Sequence, residues 1–373
     1  MTVADAPGSG CPGVIEWAPE GPEDESLPAR GRVAAPRLAR HTITLDDGHR
    51  VQIAVAGRGV PFVVVHGFSA EGLLYAQTLS RLVSAGFKVI AIDTAGHGGT
   101  AGFASGGGDM AGYGTLLGRA VDHLGIKRAL YAGHSMGGRL VTELIGREPR
   151  RAVGVMLIDA IVGEAWDRKV ALSRFVPPVM GATGAMLVAD TLATAPILRN
   201  PRQAVKLARL LVPVALNNVI RPRGMIGAGV SIMRSGPSRW LLESLADHLV
   251  PVWVVHGDRD FAVPVKTAVD AARRTRGELI LVHGASHSWL LRDPETMPAI
   301  VAELLEDSLG DVIRLALAVE GAPIGTEETI EEIEQALYVP GALVHDLTPP
   351  LEFEATGARR RRPTYRWTRS HPR

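Results

Sequence analysis

The stretch LYAGHSMGGRL, residues 130–140, sets a single serine among glycines. Gly133, Ser135 and Gly137 make a G-x-S-x-G pattern at the end of an apolar run and the start of a helical one. A strand bending sharply into a helix leaves no room for β-carbons beside the bend, and glycine supplies that room. The bend exposes the hydroxyl, and the helix behind it aims free amides and a positive dipole end at that point. Ser135 is therefore the candidate nucleophile. A hydroxyl attacks a carbonyl only when a base removes its proton, and the base needs an orienting group. In a parallel sheet such partners sit just beyond the carboxyl ends of other strands. VPVWVVHGDRDFAVP (250–264) offers Asp258 and Asp260, and ELILVHGASHSWLL (278–291) offers His283 and His287. Asp258 and His283 fall close to the strand ends, so Asp260 is favoured as the acid and His287 as the base. Asp159, also behind an apolar run, is a fallback acid. The oxyanion formed on attack needs preorganised N–H donors. The amide of Met136 is one, and the Phe68 amide in HGFSAEG (66–72) is the other, with Gly67 letting the backbone approach.

These residues must be positioned by a sheet. PFVVVHG, KVIAID, RALYAGH, AVGVMLID, VPVWVVHG and ELILVHG are short, nearly continuous apolar runs, as expected of strands buried on both faces of a parallel sheet. HTITL and RVQIAVAG add a hairpin around Asp46-Asp47-Gly48. Helical patterns alternate with the strands, which predicts an α/β fold with right-handed crossovers. The spacing breaks between Asp159 and Val250, where a crossover needs only a dozen or so residues. The insert is apolar and helical in pattern, QAVKLARLLVPVALNNV included, and residues 161–245 hold eleven Lys/Arg against four Asp/Glu. It is either a lid over the site or a peripheral helical layer.

With 46% hydrophobic and 21% charged residues, the 373-residue chain can bury a large core. The formal net charge of +1 gives no whole-protein field toward nucleic acid or membrane. Cys11, the single cysteine, has no internal disulfide partner. Residues 1–40, rich in Pro, Gly and Ala, read as a mostly disordered leader. MTVADAPGSGCPG lacks the basic and apolar regions of a signal peptide, so the expected location is cytoplasmic. GTEETIEEIEQAL carries helix-start chemistry. The last stretch, GARRRRPTYRWTRSHPR, has seven arginines and no acid, and is expected to be a solvated basic tail.

From about residue 40 to 308 the chain resembles the α/β-hydrolase superfamily. HGF, DTAGHGGT, GHSMGG, GDRD and GASHSWLLRDPE carry the resemblance, in that order. It implies a mostly parallel eight-stranded sheet with helices on both faces, formed by residues 41–160 and 246–308, and a helical cap at 161–245. Residues 309–373 form an extension of unassigned role. The triad it implies is Ser135, Asp260 and His287. His66, Gly67, His134 and Trp289 are expected to contact substrate, while Asp93 and His97 are turn residues. A serine nucleophile argues against dehalogenases and epoxide hydrolases, which use Asp. Carbon–carbon bond hydrolases often have Asn and Trp where this chain has His134 and Ser288. The expected activity is hydrolysis of a medium-sized apolar ester through an acyl-enzyme. The alternatives are a carbon–carbon bond hydrolase, a cofactor-free haloperoxidase, or a non-catalytic binding module. No cofactor, metal or nucleic acid is expected, and contact with anionic membranes is expected to be weak; the oligomeric state is not readable.

Overall fold

The computed structural model describes residues 33–36, 38–68, 70–104, 108–176, 178–194, 222–322, 329–350, 353–358 and 362–372. Most of the leader, Cys11 and the QAVKLARLLVPVALNNV segment lie outside the described residues. Nine strands form the main sheet: β1 (Ala39–Thr44), β2 (Arg50–Ala56), β3 (Val60–Val65), β4 (Phe87–Ile92), β5 (Ala129–His134), β6 (Ala152–Ile158), β7 (Val252–Gly257), β8 (Glu278–Val282) and β9 (Trp367–Ser370). Their order is β9-β8-β7-β6-β5-β3-β4-β2-β1. The central six, β3 to β8, run parallel, while β1, β2 and β9 pair antiparallel at the edges. Every residue of β4, β5, β6 and β7 is buried, which is why those runs show no polar alternation. Each buried Val, Leu or Ile contributes about 1.5–3 kcal/mol, so the sheet centre is the rigid platform of the molecule.

The sheet has nine strands where the sequence predicted eight. The ninth comes from the arginine-rich tail, which is held down by complementary acids. Arg369 bonds Glu278 of β8, and also Glu303 and Asp307 at 3.1 and 2.7 Å, while the Trp367 indole N–H donates to Glu303 at 2.8 Å. Charge composition alone hid this, since the partners lie more than sixty residues away in sequence.

Helices α1 (Ala76–Ser84), α2 (Met110–His123) and α3 (Met136–Arg147) connect the early strands. The Asp109 side chain caps α2 by accepting from the Gly112 amide at 2.7 Å. The long β6–β7 connection contains α4 (Glu164–Phe175), α5 (Pro178–Thr194), α6 (Pro222–Arg234) and α7 (Arg239–Asp247). Its two ends are stapled, because the Gly163 amide donates to Ser238 Oγ at 2.7 Å. Asp167 accepts from the Ser238 amide at 2.8 Å. The helix α7 packs on α3 and on α8 (Val265–Thr275), so it belongs to the layer beside the sheet. Beyond β8 come α9 (Trp289–Arg292), α10 (Thr296–Leu305), α11 (Ser308–Val319), α12 (Ile330–Leu337) and α13 (Leu343–Leu347). The expected helix start in GTEETIEEIEQAL is a capping box between Thr329 and Glu332. A short ribbon pairs Val33–Pro36 with Phe353–Ala358. Among the described residues, no helix is long and apolar enough to cross a membrane.

Candidate active site

Ser135 stands between β5 and α3 with φ 52° and ψ −115°. A side chain at positive φ costs on the order of 1–3 kcal/mol and persists only where its surroundings enforce it. Here the Ser135 amide donates to the Ile158 carbonyl at 2.9 Å, and its carbonyl accepts from Gly138 and Ile161 at 3.1 and 3.2 Å. The flanking glycines are steric necessities. A Cβ on Gly133 would lie 2.4 Å from the Gly137 and Gly138 backbone, and one on Gly137 would lie 2.2 Å from the Val65 carbonyl oxygen.

The competing acids and bases sort into two pairs. His283 Nδ1 lies 3.0 Å from Asp258 Oδ2, and both side chains are substantially exposed. His287 Nδ1 lies 2.6 Å from Asp260 Oδ2, and both are buried. The other Asp260 oxygen accepts from the amides of Ala262 and Val263 at 2.9 and 2.8 Å, which fixes the carboxylate. Burial opposes charge on both members. The attraction between them outweighs it, so His287 is raised above the ordinary histidine range and Asp260 falls below the usual carboxylate range.

His134, directly before the serine, ties the elbow to the loop of His287. Its Nε2 donates to the His287 carbonyl at 3.1 Å, leaving Nδ1 to accept from the Tyr75 hydroxyl at 2.9 Å. Burial pushes His134 down to about 3, so it stays neutral, and its ring lies 4.9 Å from that of His287. Gly67 packs against this pair: a Cβ there would lie 2.9 Å from His134 Nδ1 and 3.2 Å from Ser135 Cβ. Phe68 is partly buried, close to Gly229 of α6, and Met136 is fully buried as the first residue of α3.

Two of the expected substrate contacts, His66 and Trp289, have their polar atoms bonded within the protein. His66 is fully buried, accepts from the Thr94 amide at 3.0 Å, and has Nδ1 against the Gly67 carbonyl at 2.8 Å. Trp289 is likewise sealed in, donating its indole N–H to Asp159 at 2.7 Å. The polar atoms of both are therefore committed to the protein. Asp93 accepts from the amides of Gly72 and Gly99 at 2.7 and 3.3 Å, and His97 Nδ1 faces the Ala95 carbonyl at 3.1 Å.

Asp159 is fully buried at the end of β6, with burial raising it well above the usual carboxylate range. It accepts from the Gly257 amide at 2.8 Å as well as from Trp289, so one side chain ties together the loops bearing Asp260 and His287. Its Oδ1 lies 3.5 Å from His256 Nδ1. Asp159, His256 and Asp260 bring one ligand-type atom each within 4.8 Å of one another. The carboxylate oxygens already accept from protein donors, and His256 Nε2 faces the Val263 carbonyl at 3.0 Å. The donor set fits a hydrogen-bonded scaffold better than a metal centre.

Sequence reading missed Tyr75, His256 and Asp190. Tyr75 and His256 carry no pattern that marks them. Asp190 does, because it is the one charged residue of α5, PVMGATGAMLVADTLAT. Its carboxylate accepts from the Ser288 amide at 2.8 Å, directly beside His287.

The sequence profile of the family described as "Serine aminopeptidase, S33" matches residues 60–295. A Mycobacterium phage D29 protein with a provisional non-heme haloperoxidase name is 32% identical over 278 residues, which cover 72% of this chain and 96% of its own. A monoacylglycerol lipase of Mycolicibacterium smegmatis is 30% identical over 213 residues, covering 56% of this chain and 72% of its own. Among solved structures, the thermophilic esterase of Thermogutta terrifontis is similar with a TM-score of 0.55 at 20% identity, over 73% of this chain and 98% of that one. At that identity the likeness is one of fold. The matched span runs from β3 past the loop of His287, and on that ground the chain belongs to the serine aminopeptidase S33 family of α/β hydrolases.

Proposed function

We propose that the protein is a serine hydrolase that cleaves a carboxylic ester of a medium-sized apolar substrate. Ser135 Oγ attacks the carbonyl carbon while His287 takes its proton at Nε2. Asp260 holds the imidazole with its proton on Nδ1 and stabilises the imidazolium. The tetrahedral oxyanion is met by the amides of Met136 and Phe68, each worth about 2.7–4 kcal/mol of barrier. Collapse expels the alcohol with the proton from His287. Water, deprotonated by the same histidine, then releases the acid. The observation that carries this reading is the buried 2.6 Å contact between His287 and Asp260, tied through the His287 carbonyl to His134, the residue before a serine held at positive φ.

In this reading the part of residues 161–245 that precedes α7 acts as a cap over the substrate. Its helix α6 lies against the oxyanion loop, where a Cβ on Gly229 would come within 3.9 Å of the Phe68 ring, and against the loop after β4, where one on Gly96 would come within 2.5 Å of Gly224 Cα. Exposed Leu172, Phe175, Val176 and Met186 on α4, α5 and the turn between them supply apolar surface. The 32% identical phage protein supports a second reading, in which hydrogen peroxide replaces water as the acyl acceptor. The product is then a peroxy acid, which oxidises halide in solution.

A fluorophosphonate probe, followed by peptide mapping, tests the nucleophile, and labelling at any other serine refutes it. A panel of activated esters with two to twelve acyl carbons tests the substrate, and best activity on acetate refutes the apolar preference. Halide oxidation with peroxide and a carboxylate, abolished by Ser135→Ala, separates the two readings.

A further inference from the structure

Residues 161–245 hold eleven basic side chains and four acidic ones, and α5 carries a single charge, Asp190. This lone carboxylate, on an otherwise uncharged helix in a basic insert, is partly buried. It is turned onto the backbone next to His287, where its Oδ2 accepts from the Ser288 amide at 2.8 Å. The helix α5 packs against α9, which begins at Trp289, two residues beyond the histidine.

We propose that Asp190 is a positioning residue that latches the insert onto the His287 loop and gives the base a negative charge supplied from the cap. This rests on the reading of His287 as the base. The groups facing the histidine come from four elements: Asp260 beyond β7, Asp159 beyond β6, His134 at the end of β5, and Asp190 on α5. His134 is neutral, and Asp159 and Asp260 belong to the sheet scaffold. Asp190 alone belongs to the cap, so seating of the cap and basicity of the histidine are coupled through it. With the cap seated, the carboxylate favours the imidazolium that forms when His287 takes the serine proton. The Ser288 amide is anchored as well, which fixes where the ring points. Loss of the Asp190–Ser288 contact would withdraw both effects.

Two substitutions separate anchor from charge. Asp190→Asn keeps an oxygen for the Ser288 amide and removes the charge, whereas Asp190→Ala removes both. The His287 ring resonances are titrated by NMR, alongside the pH dependence of kcat/KM on an activated ester. In Asp190→Asn the His287 midpoint should fall by about half a pH unit, with plateau kcat within about twofold of wild type. In Asp190→Ala the same fall should come with a loss of about tenfold in plateau kcat. An unchanged midpoint in Asp190→Asn overturns the charge role, and a wild-type plateau in Asp190→Ala overturns the latch. The NMR midpoint does not depend on turnover. A protein without ester activity would therefore refute the hydrolase reading while the titration still tests Asp190.

Discussion

Replacing Asp260 with asparagine tests the Asp–His arrangement at its most specific point. The carboxylate uses one oxygen for the Ala262 and Val263 amides and the other for His287 Nδ1. An asparagine can keep the first set by placing its oxygen there, so the loop retains its shape. Its NH2 group then faces the imidazole, and two donors cannot point at each other. His287 must move its proton from Nδ1 to Nε2, the atom that has to accept the proton of Ser135. A histidine in that tautomer is no base. The expected loss in kcat is on the order of 10⁴, or about 5.4 kcal/mol of barrier. The residual activity should also titrate at lower pH, because the charge that raises His287 is gone. Asp258→Asn is the matched control. It breaks an exposed pair with His283, worth at most about 1 kcal/mol of stability, and should leave kcat/KM within about twofold. Both variants are assayed on one activated ester from pH 5 to 9, with thermal melting to verify folding. Retention of more than about a tenth of wild-type kcat in Asp260→Asn, or an equal loss in Asp258→Asn, would refute the assignment.

Three further outcomes are expected. Since His287 must be unprotonated to act and is raised above 6.5, wild-type kcat/KM should rise through a midpoint above that value and level off in mild alkali; a profile flat from pH 5 to 9 contradicts this. His66, His97 and His134 are lowered by burial to about 4, 4 and 3 from 6.5, so the unfolded chain takes up protons first. Their stabilisation is complete above pH 6.5 and declines as the pH falls toward 4, by roughly 2 kcal/mol each at pH 5. The raised Asp159 offsets about 1 kcal/mol of that loss. Equal urea midpoints at pH 7.5 and 5.0 would contradict the net loss. Finally, Arg369→Ala leaves Glu278 of β8 without its partner and should cost about 1–3 kcal/mol by urea unfolding, with little effect on kcat. An unchanged unfolding midpoint would show that β9 does not depend on this arginine.

The residues legible in the sequence are those whose role is imposed by the local chain. Gly133 and Gly137 are dictated by contacts within four residues or with the neighbouring strand end, and both read correctly as elbow glycines. The apolar runs marked the strands because burial on both faces removes alternation, and the break after Asp159 marked the insert for the same reason. What the sequence hid depends on long closures. His66 and Trp289 stand in the HGF and ASHSW loops, and nothing local shows that their polar atoms are taken by Thr94, Gly67 and Asp159. The tail strand is likewise specified by Glu278, Glu303 and Asp307 rather than by its own composition.

The same distinction bears on how this site works. Ser135, His287 and Asp260 occupy loops at three strand ends, and those loops are held by side chains outside the proposed triad. Tyr75 and His134 fix the elbow against the His287 carbonyl. Asp159 fixes Gly257 against Trp289, and so sets the spacing between acid and base loops from below. Asp190 fixes Ser288 from the insert. The loop of His287 is thus anchored to β5, to β6 and to α5, of which the first two are parts of the rigid sheet. The third anchor comes from the insert, outside the sheet. Loss of that third anchor would act on the chemistry through the orientation of His287, with Ser135 held at its strained elbow.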